Sequence, residues 1–247
     1  EVATLAAQAG ALGSVYLSEA DGLFVGTVAA IDVNRVDMDS TSLPTADGAA
    51  LSGAVAGQNV KIENGVDAAG DLTVNDVVTA TAGDVLLDAK DGDLLVNAAV
   101  TAGDDATLLA SGDIVQAAVA VTATAGDILA EAGAGIEMVD GATATAGGDL
   151  RFEAKGGDAE VTGLKSTAAD GAAMVKASGD IVDAGETAKD VEAASVQLMA
   201  GGSVGERAGQ NNGPLDLEVA TLAAQAGALG SVYLSEADGL FRSEEHT

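Results

Sequence analysis

Residues 83–91 read GDVLLDAKD and residues 148–156 read GDLRFEAKG, and in both stretches every second residue after the Gly-Asp pair is apolar. A period of two is typical of a β-strand with one buried face, whereas a helix would place its apolar residues three or four apart. The residues predicted to face the interior are Val85, Leu87, Leu150 and Phe152. The residues predicted to lie on the outside are Asp88, Lys90, Arg151 and Glu153.

Gly-Asp-like pairs recur along residues 70–194, with intervals of nine residues alternating with intervals of 11–15 residues. A third short apolar element, such as VTATA at 78–82 and at 121–125, follows in most periods. Three strands per period predict an all-β fold, a right-handed parallel β-helix (β-solenoid) with coils of about 22 residues. Glycine is expected to supply a positive φ at each corner, and aspartate to bond the turn backbone. An antiparallel sandwich is the alternative, but it does not explain the constant nine-residue interval.

Residues 1–24 recur without a change at residues 218–241, an offset of 217 residues (218 − 1). Exposed positions would drift with time, so this identity indicates a recent tandem duplication within one solenoid region, residues 1–241. Residues 242–247, RSEEHT, break off from the continuation that follows Phe24 and match a translated sequencing adapter. We therefore predict a non-native tail there, which contains the only histidine, His246.

Two stretches depart from the repeat, residues 25–56 and residues 205–216, and each contains one of the two prolines. We predict less regular, loop-bearing coils at both. Loops on a rigid scaffold often carry function, although irregular linkage between coils is the simpler interpretation.

The formal charge of −29, with only 10 lysines and arginines, excludes several classes of partner. Nucleic acid is not expected, because phosphate binding depends on basic side chains. Direct membrane insertion is not expected either, since no apolar run has the length of a membrane span. Aromatic residues make up 2% of the chain and cysteine is absent, which favours a thin core of small side chains without disulfides.

Catalysis finds little support in this sequence. It has no cysteine nucleophile, and its histidine lies in the predicted tail. A polysaccharide-active β-helix enzyme is a remote alternative, because such enzymes generally use aromatic sugar platforms and this chain has 2 Tyr and 3 Phe. No cofactor is predicted. Weak calcium binding along stacked aspartates such as Asp71 and Asp93 is an expectation that rests on the oxygen preference of Ca²⁺.

Threonines return about once per coil in the VTATA elements and form the candidate surface site. If the intervening alanines face inward, the hydroxyls line one outer face and predict a surface-binding module for ice or a glycan. The simpler interpretation is that β-branched threonine suits strands. The residues of this predicted ladder are Thr79, Thr81, Thr101, Thr122, Thr124, Thr143 and Thr145.

The units GDLTV at 70–74 and VTATA at 78–82, in coils of this length, resemble the repeat regions of filamentous haemagglutinin-like proteins and of giant bacterial repeat adhesins, over about residues 57–241. The resemblance implies a structural or adhesive stalk of a secreted or surface-exposed bacterial protein, without catalysis. It further implies an extracellular or cell-surface location and partners on host or neighbouring cells, or in the extracellular matrix or biofilm. The secretion domain of that family has no counterpart here.

Overall fold

The computed structural model of the chain describes residues 2–185, 189–206 and 213–236, with the side chains of residues 44–47 left aside. The predicted tail at 242–247, which contains His246, lies outside the described residues. So do residues 237–241 of the second copy.

All regular elements in these ranges are β-strands, and parallel strands stack as a β-solenoid of about 10 turns with a spacing of about 23 residues. The fold class predicted from the sequence is confirmed. Each regular turn contributes one strand to each of three faces. The strands of the first face are β1 (Thr4–Leu5), β4 (Leu23–Val25), β11 (Leu72–Val74), β14 (Leu94–Val96), β17 (Ile114–Gln116), β20 (Ile136–Met138), β23 (Ala159–Val161) and β26 (Ile181–Asp183).

The second face lies next to the first, and the third face completes the triangular cross-section of the solenoid. The strands of the second face are β2 (Ala7–Gln8), β9 (Ala54–Ala56), β12 (Val78–Ala80), β15 (Val100–Ala102), β18 (Ala120–Ala123), β21 (Thr143–Ala146), β24 (Leu164–Ser166) and β29 (Leu234–Glu236). The strands of the third face are β3 (Val15–Ser18), β10 (Val60–Asn64), β13 (Val85–Ala89), β16 (Ala106–Ala110), β19 (Ile128–Ala132), β22 (Leu150–Ala154) and β25 (Ala172–Ala177). Two long strands, β27 (Val191–Ala200) and β28 (Leu215–Gln225), pass along both the second and the third face.

The core is a stack of inward side chains, because parallel pairing places equivalent residues of successive coils above one another. Val85, Leu87, Leu150 and Phe152 are all buried, as predicted. Asp88, Lys90 and Arg151 lie at the surface. Glu153 also lies on the outer side of its strand, as predicted, in register with Glu131 and Lys176, although it is only 7% exposed. Its carboxylate lies on the outer face but is covered by ion pairs with Arg151 and Lys176.

The corners between faces are held by two rows of acceptor side chains, which we call the corner rows. In each row a side-chain oxygen accepts a hydrogen bond from the backbone N–H of the equivalent residue one coil further on. In the second row, defined below, the distances between the nitrogen and the oxygen are 2.7–3.2 Å. The first corner row, where the third face meets the first, contains Asp71, Asp93 and Asp113, and after a break Asp158 and Asp180. The second corner row, where the second face meets the third, contains Asn59, Asp84, Asp105, Asp127 and Asp149.

The corner glycines are needed for a reason other than the predicted one. In the described chain the glycines with positive φ are Gly48, Gly53, Gly65, Gly141, Gly163, Gly205 and Gly213, and none of these precedes a corner-row aspartate. A Cβ on Gly126 would instead lie 2.1 Å from Oδ1 of Asp105, and one on Gly148 the same distance from Oδ1 of Asp127. The expectation of positive φ at each corner is therefore wrong. Glycine is required because the carboxylate of the coil below occupies that space.

The stretch at 25–56 leaves the solenoid as an antiparallel ribbon. Strands β5 (Thr27–Val28) and β8 (Leu51–Ser52) pair at its base, and β6 (Ile31–Val36) and β7 (Ser42–Asp47) form its tip. The Thr27 hydroxyl lies 2.6 Å from the Ser52 hydroxyl and donates to the Asp76 carboxylate at 2.7 Å, which fixes the base to the solenoid. The stretch at 205–216 is described only at its ends.

Candidate functional site

Four of the predicted threonines form one row on the outside of the second face. Thr79 pairs with Thr101, Thr101 with Thr122, and Thr122 with Thr145. All four are half-buried, and the alanines that follow them, such as Ala80, face the core. The hydroxyl-bearing residues repeat once per coil, a rise of about 4.8 Å. We call these four residues the threonine row.

The other three predicted residues do not join the threonine row. Thr81 and Thr124 lie in the bends that follow their strands, and Gly103 occupies the corresponding position in the coil between them. Thr143 begins its strand opposite Ala120. The structure thus forms one row of hydroxyls, whereas a TxT array has two parallel rows. The glycine of the VTAG stretch at 100–103 is the sequence signal for this difference.

The threonine row is bounded by other residue types. Val55 precedes Thr79, and Lys165 follows Thr145. Lys165 pairs with Glu192 of the next coil at 2.8 Å. Next to this ion pair the surface has an acidic cleft of about 500 Å³, whose lining includes Ser166, Glu192, Glu218 and Glu236.

The positive charge of the described chain is taken up by ion pairs. Each of its lysines and arginines contacts a carboxylate: Arg35, Lys61, Lys90, Arg151, Lys155, Lys165, Lys176 and Lys189. A hydrogen bond from Lys155 lowers the pKa of Glu131, and one from Lys176 lowers the pKa of Glu153. Within the described ranges, no basic side chain is therefore left over for an anionic ligand.

The aspartates considered for calcium have a structural task. Asp71 accepts the N–H of Asp93 at 3.0 Å, and Asp93 accepts the N–H of Asp113 at 2.8 Å. Across the described residues, no group of three or more acidic, histidine or cysteine side chains is placed to hold a metal ion. Weak calcium binding along this row stays a prediction.

A pair of buried carboxyl groups was missed by the sequence analysis. Asp183 and Asp190 are 2% and 0% exposed, and Asp183 takes the inward position that Val161 has one coil below. Burial, followed by the charge of Asp183, raises the pKa of Asp190 to about 9. Backbone N–H groups of Gly185 and Asp216 donate to Asp183 and Asp190. A pKa of about 9 keeps Asp190 protonated at neutral pH, which avoids a second buried negative charge beside Asp183.

These features define the class of the protein as a β-solenoid repeat protein. Among the described residues, no helix is long and apolar enough to cross a membrane. No protein-family model matches the chain, and neither a curated protein nor a solved structure matches it.

Proposed function

We propose that the chain is a rigid, non-catalytic shaft segment of a filamentous haemagglutinin-like bacterial repeat protein, which is secreted or displayed at the cell surface and acts as an adhesive stalk. The observation that carries the proposal is the second corner row, in which five consecutive coils are tied to the next by the same side-chain-to-backbone bond. A stack of this kind gains length by adding coils, since each coil contacts only its neighbours.

The charge of the chain is consistent with the same proposal and limits which partners it can have. A shaft with a formal charge of −29 resists association with copies of itself. Its described basic side chains are already paired with carboxylates, which disfavours nucleic acid and other polyanions as partners. We therefore propose that the partners are surfaces of host or neighbouring cells, or components of the extracellular matrix or biofilm.

Length is the property that tests the shaft role. Residues 1–241 and a chain extended by a second 217-residue unit would be compared by small-angle X-ray scattering. The longer chain is expected to gain roughly 45–50 Å in its maximum dimension, at about 4.8 Å per coil, with an unchanged cross-section. A gain in cross-section without a gain in length would contradict the proposal.

The threonine row supports a second candidate, a surface-binding module for ice or a glycan. Thr101→Lys and Thr122→Lys would interrupt the row without touching the core, since both side chains face outward. Loss of ice-growth inhibition or of glycan-array binding in these variants, but not in Thr167→Lys, would support this candidate. If the unaltered chain neither inhibits ice growth nor binds a glycan, this candidate is excluded.

A further inference from the structure

The antiparallel ribbon tip, formed by β6 and β7, is the part of the described chain whose construction the shaft role does not explain. Every residue of β6 is exposed, and Ile31 and Val36 are 69% and 71% exposed. The two strands form a sheet of their own. An isolated two-stranded hairpin is marginally stable in water, so a third strand would stabilise it.

The two edges of the ribbon tip are not equivalent. The N–H of Asp37 donates to the carbonyl of Thr41 at 2.9 Å, and this bond sets the alternation of the ladder. It makes Asn34 and Pro44 a non-hydrogen-bonded pair, whose backbone groups point away from the partner strand. Proline has no N–H, so the β7 edge lacks a donor at its centre. The β6 edge keeps the outward N–H groups of Asp32, Asn34 and Val36.

Side chains on β6 define what the edge would accept. Ile31 and Val33 lie on one face of the strand, and Asp32 lies on the other, because successive residues alternate. Residues 31–47 contain four aspartates and one arginine, a net charge of −3, and Arg35 is paired with Asp37. A strand beside β6 would therefore meet Ile31, Val33 and the ion-paired Arg35 on one face. On the other face it would meet Asp32, whose carboxylate favours a basic side chain, together with Asn34 and Val36.

We propose that the β6 edge of the ribbon tip is a binding site for an extended segment of another protein, which adds as a third strand and alternates basic with β-branched apolar residues. Main-chain hydrogen bonds supply the contact along the edge, and alternate side chains supply the selection. A second copy of this chain is disfavoured as the occupant, since two chains of −29 repel each other. This inference is independent of the shaft role.

The test uses the full chain and a synthetic seven-residue peptide of alternating lysine and valine, with binding measured by calorimetry. Asn34→Pro removes an outward N–H without removing a β6–β7 bond, and is expected to weaken binding roughly tenfold. Asn34→Ala keeps that N–H and is the matched control, with affinity within about twofold of the unaltered chain. Equal affinity of the proline variant and the unaltered chain would overturn the proposal.

A second peptide separates strand addition from charge attraction without any change to the protein. Its sequence is the same, but every backbone nitrogen is methylated, so that it keeps its charge and has no backbone N–H donor on either edge. Much weaker binding of the methylated peptide is expected. Equal binding of both peptides would overturn the proposal. A dimer of the chain in sedimentation that Asn34→Pro abolishes would overturn it as well, because the occupant would then be a second copy.

Discussion

The duplicated segment occupies different faces of the solenoid in its two copies, although the sequences are identical. Thr4 lies on the first face, whereas its counterpart Thr221 pairs with Ser195 on the third. Val15 lies on the third face, whereas Val232 bridges to Val204 on the first. The sequence of a strand therefore does not determine its face in this fold.

What the two copies share is local. The N–H of Gly13 donates to the carbonyl of Gly10 at 2.8 Å, and the N–H of Gly230 donates to that of Gly227 at 3.0 Å. Ser14 accepts an N–H in the second corner row, and the equivalent Ser231 donates its N–H to the Ser203 hydroxyl in the first. The segment keeps its turn and joins whichever corner row lies beneath it. In the Gly-Asp coils, by contrast, a carboxylate and the glycine that accommodates it hold each corner to the coil below.

The largest expected contrast is between two phenylalanines, one from each region. Phe152→Ala in the Gly-Asp coils should lower the free energy of unfolding by about 3–5 kcal/mol, because it leaves a cavity in a narrow core. Phe24→Ala in the duplicated segment should cost less than about 1 kcal/mol, since Phe24 is 49% exposed. Chemical denaturation measures both. Equal losses would show that the two regions do not differ in packing.

The next contrast concerns two glycines. Gly126→Ala should cost about 1–3 kcal/mol, because the new Cβ meets the Asp105 carboxylate and overpacks the corner. Gly10→Ala should change stability by no more than about 0.5 kcal/mol, since nothing lies within 4 Å of a Cβ there. The double variant Gly126→Ala/Asp105→Ala should recover part of the loss. If it does not, the carboxylate is not what the glycine accommodates.

Between the two regions lies the buried pair of Asp183 and Asp190. Because the pKa of Asp190 is raised from 3.8 to about 9, the folded chain retains a proton that the unfolded chain loses. Stability should therefore fall as the pH rises from about 4 towards 9. Asp190→Asn should remove this loss and stabilise the chain at neutral pH by about 1–2 kcal/mol. The same pH profile in the variant, measured by thermal melting, would contradict the assignment.

The smallest effect is expected in the corner rows themselves. Asp127→Ala removes the acceptor for the N–H of Asp149 and should cost about 0.5–1 kcal/mol, because this hydrogen bond is exposed. Asp127→Asn keeps an acceptor oxygen and should cost less than half as much. Ser14→Ala in the duplicated segment should stay below about 0.5 kcal/mol, because Asn59 N–H lies 3.2 Å away in a half-exposed corner. Identical losses for the alanine and asparagine variants at Asp127 would argue against the hydrogen bond.

Much of the fold could be predicted because a period of two and a regular coil length are properties of the sequence alone. The burial of Val85 and Phe152 followed directly. The reason for Gly126 did not, since it depends on the carboxylate of Asp105 in the coil below. The low exposure of Glu153 did not follow either, because Arg151 and Lys176 cover its carboxylate on the outer face.

The candidate site was harder to predict than the fold. The sequence suggested a second row of hydroxyls, because Thr81 and Thr124 follow their strands at the same position. Gly103 occupies that position in the coil between them and interrupts the second row. The ribbon tip at 31–47 is hard to recognise in the sequence, because Ile31 and Val33 alternate with polar residues over only a short stretch.

The stacking of the coils is tested most directly by a distance along the second face. Thr79 and Glu192 are five coil steps apart through Thr101, Thr122, Thr145 and Lys165. Because the chain has no cysteine, Thr79→Cys/Glu192→Cys can be spin-labelled cleanly and measured by double electron–electron resonance. A parallel in-register stack predicts one narrow distribution centred at roughly 24 Å, at about 4.8 Å per step. A broad distribution, or one centred beyond about 35 Å, would contradict a parallel in-register stack.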